Sequence, residues 1–217
     1  MRPRLLVFTR RFWPEGSGAE LATYLFLRRY LADVFDITVV SGTPKPPADV
    51  LRCCRYVYWE PLRWVKPLEW SMTVVGMGGL EGLVRWADVV YIPSHSPTPL
   101  AVLAKFLNPR VRVVLHIHNN QLLTYTSVVL SDLGPSLRSD ILVELLENRS
   151  LVRALFTGVL HNAKYLYRLA LLRSDLVIFV AGRQLDLALR HGLPIGKSAV
   201  VYNPPPEVGF TGKELTK

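Results

Sequence analysis

Short apolar runs separated by longer stretches of helical period constrain this chain more than any other feature. Residues 5–8, 37–41, 89–92, 111–118, 176–181 and 199–202 each read as a strand, with 56–59 as a further one. Runs this continuously apolar are buried on both faces, as in a parallel sheet covered by helices. Helical stretches fall between them, at about residues 19–32, 98–106, 136–172 (in two pieces) and 183–191. Strand–helix alternation with right-handed crossovers predicts an α/β fold: a doubly wound, mainly parallel sheet with helices on both faces. In such sheets ligands sit at the carboxyl ends of the strands.

The first strand runs into TRRFWPEGSGAE, residues 9–20, and then into a helix with Glu20 in its first turn. Small residues such as Gly16, Ser17 and Gly18 let a backbone come close to a ligand, and a helix start offers unpaired N–H groups to an anion. The loop reads either as a phosphate or sugar contact or as a plain strand-to-helix connection.

Half of the residues are hydrophobic and mean hydropathy is +0.22. Charges nevertheless break every apolar run well short of the ~20 residues that span a bilayer. The apolar part of MRPRLLVFTRRFWP is too short for a secretory signal, so a cytoplasmic chain is expected. A length of 217 residues suits one large domain, expected over 1–203. The proline-rich NPPPEVGFTGKELTK then reads as a linker or tail over 204–217. Cys53 and Cys54 are adjacent, poorly placed for a mutual bridge and too few for a metal site, and are expected to be reduced.

The net charge of +9 is spread evenly over both halves of the chain. It fits attraction to anionic lipid, to phosphate-bearing substrates or to nucleic acid. No nucleic-acid-binding motif accompanies the scattered basic groups, so nucleic acid is not expected as a partner. Residues 149–173 combine five basic residues, no acidic one and a broad apolar face. Such a segment either lies on an anionic membrane, giving a peripheral position at the inner membrane face, or packs on its own core with the cations snorkelling. Residues 44–70 gather prolines with Tyr56, Tyr58, Trp59, Trp64 and Trp70, rings that mark a binding surface or cover the sheet edge.

Two apparent motifs are set aside. Gly192 to Ser198 resembles a nucleotide-binding P-loop but has three residues between its glycines where four are needed, and it lies between a helix and a strand. His116 and His118 are expected on opposite faces of their strand, with at most one entering a site, which argues against a two-histidine metal site. With no Asp-x-Asp pair in the chain either, neither a metal nor another cofactor is expected.

Six segments taken in order carry a family resemblance: FWPEGSGAE with its helix, FDITVVSG, ADVVYIPSHSPTPLAVLAKFL, VRVVLHIHN, RSDLVIFVAGRQLDLALRHGLP and KSAVVYNPP. Together they resemble the N-terminal, Rossmann-like lobe of the retaining family 4 glycosyltransferases of GT-B architecture, from Arg4 to about Pro205. The resemblance implies that Gly16, Ser17, Gly18 and Glu20 border the donor phosphates and the acceptor. It implies that His118 is the catalytic histidine touching the transferred sugar, and that Ser94, His95, Ser96 and Asn119 face the same cleft. Arg183 would lie near the domain junction, and Asn203 with Pro204 would form the hinge to a second domain. In that family the C-terminal domain binds the nucleotide-sugar, through an Arg/Lys pair and a glutamate. The expectation is therefore an acceptor-side half with little activity alone, needing a C-terminal donor-binding domain on the same chain or a separate one. Its ligands would be a nucleotide-sugar and a sugar or lipid-linked acceptor. The alternative is a non-catalytic interaction or scaffold protein with a Rossmann-like fold.

Overall fold

The computed structural model describes residues 1–63, 79–124, 126, 129, 133–161 and 164–206. Among them, seven strands form one sheet in the order β3-β2-β1-β4-β5-β6-β7, parallel throughout. The strands are β1 (Arg4–Thr9), β2 (Asp36–Ser41), β3 (Cys54–Tyr58), β4 (Val89–Ile92), β5 (Arg112–Ile117), β6 (Leu176–Phe179) and β7 (Ser198–Val200). Leu6, Val7, Val39, Val40, Val90, Ile92, Val113 and Leu115 are fully buried, as strands covered on both sides require.

The helices are α1 (Gly18–Phe26), continued by a wider π turn (Leu27–Leu31), α2 (Val50–Cys53), α3 (Glu81–Trp86), α4 (Leu100–Leu107), α5 (Leu137–Asn148), α6 (Leu151–Leu160), α7 (Lys164–Arg173) and α8 (Gly182–Arg190). One face of the sheet is packed by Val84 of α3, Leu100, Ala101 and Ala104 of α4, Tyr167, Ala170 and Leu171 of α7, and Ala188 of α8. On the other face, Tyr24 and Leu25 of α1 cover Leu5, Val7, Ile37 and Val39. Helices thus lie on both faces, but unevenly. Past α1 that second face opens into an apolar groove of 590 Å³, floored by Val89, Tyr91, Val114, His116, Leu176 and Ile178.

The winding reverses between β1 and β4, so the chain leaves these two neighbouring strands toward opposite sides. At the amino edge, aspartates fix the register. Asp88 accepts from the Arg4 backbone N–H (2.9 Å) and guanidinium, which holds its carboxyl down at about 2. Asp175 does the same two strand pairs further along, accepting from the Val113 N–H (2.7 Å) and from Lys105 (2.7 Å).

One expectation changes. The helical region 136–172 is three helices rather than two, because Arg149 takes a left-handed conformation (φ 49°) that ends α5, and a turn at His161 ends α6. Tyr56 and Trp59 cover the sheet edge: the Tyr56 hydroxyl donates to the Thr43 carbonyl (2.7 Å) and Trp59 packs on the core, while Tyr58 is exposed. Trp64 and Trp70 lie outside the described residues. The beginning of the expected linker lies against the domain, with Pro204 buried and the Pro205 carbonyl accepting from Arg29 (2.9 Å). Cys53 and Cys54 are free thiols.

Candidate active site

The loop after β1 is held from beneath. Phe12 is fully buried, edge-on to Tyr24 and Tyr56, and its N–H donates to the Thr43 hydroxyl (2.9 Å). This anchor turns the chain back so that residues 16–18 stand above the sheet. Gly16 has φ +103°, and a Cβ there would fall 2.6 Å from the Glu20 side chain, so the position requires glycine. A Cβ on Gly18 would meet nothing within 4 Å. The Glu20 carboxylate accepts from the Ser17 N–H (2.7 Å) and hydroxyl (3.1 Å). One N–H that an incoming anion could have used is therefore already satisfied by the protein's own acid.

A cavity of 220 Å³ opens at the carboxyl edge, where the winding reverses. It is lined by Arg10 and Arg11 after β1, Ser17, Ala19 and Glu20 at the start of α1, Pro93, Ser94 and His95 after β4, and His118 and Asn119 after β5. Of the residues singled out from the sequence, Ser17, Glu20, Ser94, His95, His118 and Asn119 are brought together there. Gly16 and Gly18 flank it, and Ser96 is buried beside it without lining it. Arg183, in the first turn of α8, and Asn203, beyond β7, are exposed and lie outside the lining.

Both ring nitrogens of His118 are shielded from solvent and have no hydrogen-bond partner among the described residues. Burial lowers its pKa to about 4, against a smaller upward pull from Glu20, so the ring is neutral at physiological pH. A neutral imidazole with both nitrogens uncommitted can give one hydrogen bond and take another, which suits a sugar hydroxyl. Asn119 is oriented by its neighbours. Its carbonyl oxygen accepts from the Gln121 N–H (3.1 Å), so its amide faces Nδ1 of His95 (3.2 Å).

The expectation that His116 and His118 point to opposite faces is wrong. Residues two apart in a strand share a face, and these rings stack with centroids 4.4 Å apart. His116 lies beneath, its Nδ1 paired with the Tyr91 hydroxyl (2.6 Å) and its pKa lowered to about 3 by burial and then by His118. Sequence reasoning missed Arg10 and Arg11, which the TRRF run could have flagged as cations just past a strand end. It also missed Gln184, which donates to the Asn119 carbonyl (2.8 Å) and ties the α8 start to the site. Among the described residues, no group of three or more His, Cys, Asp or Glu stands ready for a metal.

No curated protein sequence matches the chain significantly. Among solved structures, HepE of Anabaena in complex with UDP-glucose matches with a TM-score of 0.53 at 15% identity, over 93% of this chain and 44% of that one. HepE with UDP matches at 0.51 and 16% identity, and with UDP and glucose at 0.53 and 15%. At such identity the likeness establishes the fold, and this chain spans under half the length of those proteins. The profile of Glycosyltransferase Family 4 matches residues 16–205. From the glycine loop through the tail beyond β7, the chain belongs to glycosyltransferase family 4.

Proposed function

We propose that this chain is the acceptor-side half of a glycosyltransferase that moves a sugar from a nucleotide-sugar to a sugar or lipid-linked acceptor with retention of configuration. The observation that carries the reading is the half-buried imidazole of His118, its ring nitrogens without a partner among the described residues, lining a polar cavity where the winding of the sheet reverses. His118 would hold a hydroxyl of the transferred sugar. Arg10 and Arg11 would face the donor diphosphate from the β1 side, the positive end of α1 adding to their field. With these cations at the phosphates, no metal is needed in this half. The shared fold with HepE, whose structures hold UDP-glucose and UDP, supports a nucleotide-sugar as co-substrate.

Transfer also needs donor and acceptor fixed together, with the leaving phosphate charge stabilised by preorganised donors. A 220 Å³ cavity in which the Glu20 carboxylate is already tied into the start of α1 is too sparse for both tasks. The donor-binding groups would come from a C-terminal domain, in the same polypeptide or on a separate chain. UDP release from UDP-glucose, assayed with candidate acceptors and excess EDTA, tests this. The chain alone should turn over at background, and pairing it with a donor-binding domain should give transfer that His118→Ala lowers about 100-fold or more, the size of a lost transition-state contact. Robust transfer by the chain alone would refute the incomplete half. Inverted product, or transfer indifferent to His118→Ala, would refute the assigned chemistry.

A further inference from the structure

We propose that His116, locked by the Tyr91 hydroxyl, is a positioning residue for His118. Its ring is a platform that fixes how the His118 imidazole faces the cavity. This role rests on His118 being the group that holds a sugar hydroxyl.

The floor of the apolar groove is built from Val89 and Tyr91 of β4, Val114 and His116 of β5, and Leu176 and Ile178 of β6. Tyr91 and His116 bring that floor its polar side-chain atoms, and both are deeply buried, at 6% and 1% exposed. For packing alone the pair is a poor choice. An imidazole and a phenol give up hydrogen bonds to water that a leucine and a phenylalanine never had. Their mutual bond, the Tyr91 hydroxyl on Nδ1 of His116 at 2.6 Å, recovers part of this. Nε2 of His116 is shielded and has no partner among the described residues. A polar pair kept at that cost calls for a task other than stability.

Geometry supplies the task. Residues 116 and 118 share a face of β5 and its continuation, and their rings lie 4.4 Å apart between centroids, 35° from parallel. On its other neighbours, His116 meets the ring of Phe26 in α1 at 5.4 Å and that of Tyr91 at 6.0 Å. His118 lines the cavity, and no hydrogen bond among the described residues orients it. A neutral imidazole that gives one hydrogen bond and takes another must turn the right nitrogen to each partner. The ring in contact with it limits that turning, and the Tyr91 hydroxyl stops the supporting ring from turning in its place. With the hydroxyl donating to Nδ1, the His116 proton lies on Nε2. The ring is neutral, its pKa lowered to about 3 by burial first and His118 second, so no charge sits beneath the sugar-holding imidazole.

The test is NMR of the free chain with labelled histidine side chains, in the parent and in Tyr91→Phe, which keeps the ring and removes the hydroxyl. The parent should show His116 as a single tautomer protonated at Nε2. In Tyr91→Phe the His116 signals should move toward a mixture of tautomers, and the His118 ring resonances should shift and broaden. UDP-glucose affinity, read by calorimetry, should fall about tenfold as the imidazole loses its orientation. The double variant Tyr91→Phe with His116→Leu leaves no polar atom of the pair unpaired. It should melt no lower than the single variant and still bind UDP-glucose about tenfold more weakly than the parent, a split that a merely structural pair would not give. A parent His116 protonated at Nδ1 or divided between tautomers would overturn the proposal. So would His118 resonances in Tyr91→Phe equal to the parent's, or a double variant with full UDP-glucose affinity. The ring signals are read without ligand, so a chain that binds no sugar would sink the transferase reading by itself, and an unlocked His116 would leave that reading standing.

Discussion

The two glycines of the first loop look equivalent in the sequence and do different work. Gly16 is required by its own backbone, whereas Gly18 has open space around it. Gly16→Ala should cost about 1–3 kcal/mol, from a strained φ and a displaced Glu20. Gly18→Ala should keep full stability, Ala being the better helix former by about 1 kcal/mol. If the backbone at Gly18 approaches a bound ligand, that same variant should weaken nucleotide-sugar binding by tenfold or more, read by calorimetry beside a thermal melt. Unchanged binding would assign the loop to connection alone. The histidines carry a second residue-scale consequence. Both rings titrate well below the ordinary value near 6.5, His116 at about 3 and His118 at about 4. Between about pH 6.5 and 4 the unfolded chain binds protons on both rings that the folded chain refuses, so stability falls as pH drops through that window, and the His116 share goes on falling to about pH 3. His118→Gln should remove about one proton from the slope of unfolding free energy against pH in that window, and a slope equal to the parent's would contradict its buried, neutral state. The place of His118 at the carboxyl edge was legible because it follows an apolar strand; its stacking on His116 follows from strand periodicity and was misjudged.

At the scale of elements, the strands were read correctly because runs such as VVYI and LVIF are apolar on both faces with no polar alternation, even where Leu176 and Ile178 are only half-buried beside the open groove. The helices were harder. The break at Arg149 depends on one left-handed residue in a position where sequence offers no glycine to announce it. The short helix α3 carries too few turns to show a period. Nothing in the spacing of residues 149–173 could say that α6 leaves Leu151, Val152, Leu155 and Phe156 exposed while α7 buries Tyr167, Ala170 and Leu171, since both set basic residues among apolar ones and the choice is made by what remains uncovered. The loop that builds the site was legible as glycine-rich, but its anchor was not. Phe12 reads as one more aromatic, and becomes the plug between Tyr24 and Tyr56 only when α1 and β3 come together. Phe12→Ala should destabilise the domain by about 3–5 kcal/mol, the usual cost of emptying a buried ring site, measured by urea unfolding. A cost below about 1 kcal/mol would show that the loop is held by other means.

For the molecule as a whole, the decisive fact is where the winding reverses. The chain puts α1 and α2 on one side of the sheet and α3, α4, α7 and α8 on the other, and the mouth between β1 and β4 collects the ends of β1, β4 and β5 into one polar cavity. The order of six segments carried this much, because strand order in such folds leaves few alternatives. It could not carry the apolar groove of 590 Å³ on the half-covered face, which arises from a helix layer that stops at β1. Arg183 and Asn203, assigned to the site by resemblance, stand outside the cavity in this chain. A role for them would have to come through a neighbouring domain. A sugar held at His118 is tested most directly by NMR of the chain with labelled histidine side chains, titrated with UDP-glucose and with glucose to millimolar concentration. The His118 ring resonances should move and saturate with ligand while those of His191, beyond α8, stay fixed. Resonances of His118 that stay in place while ligand binds elsewhere would contradict it.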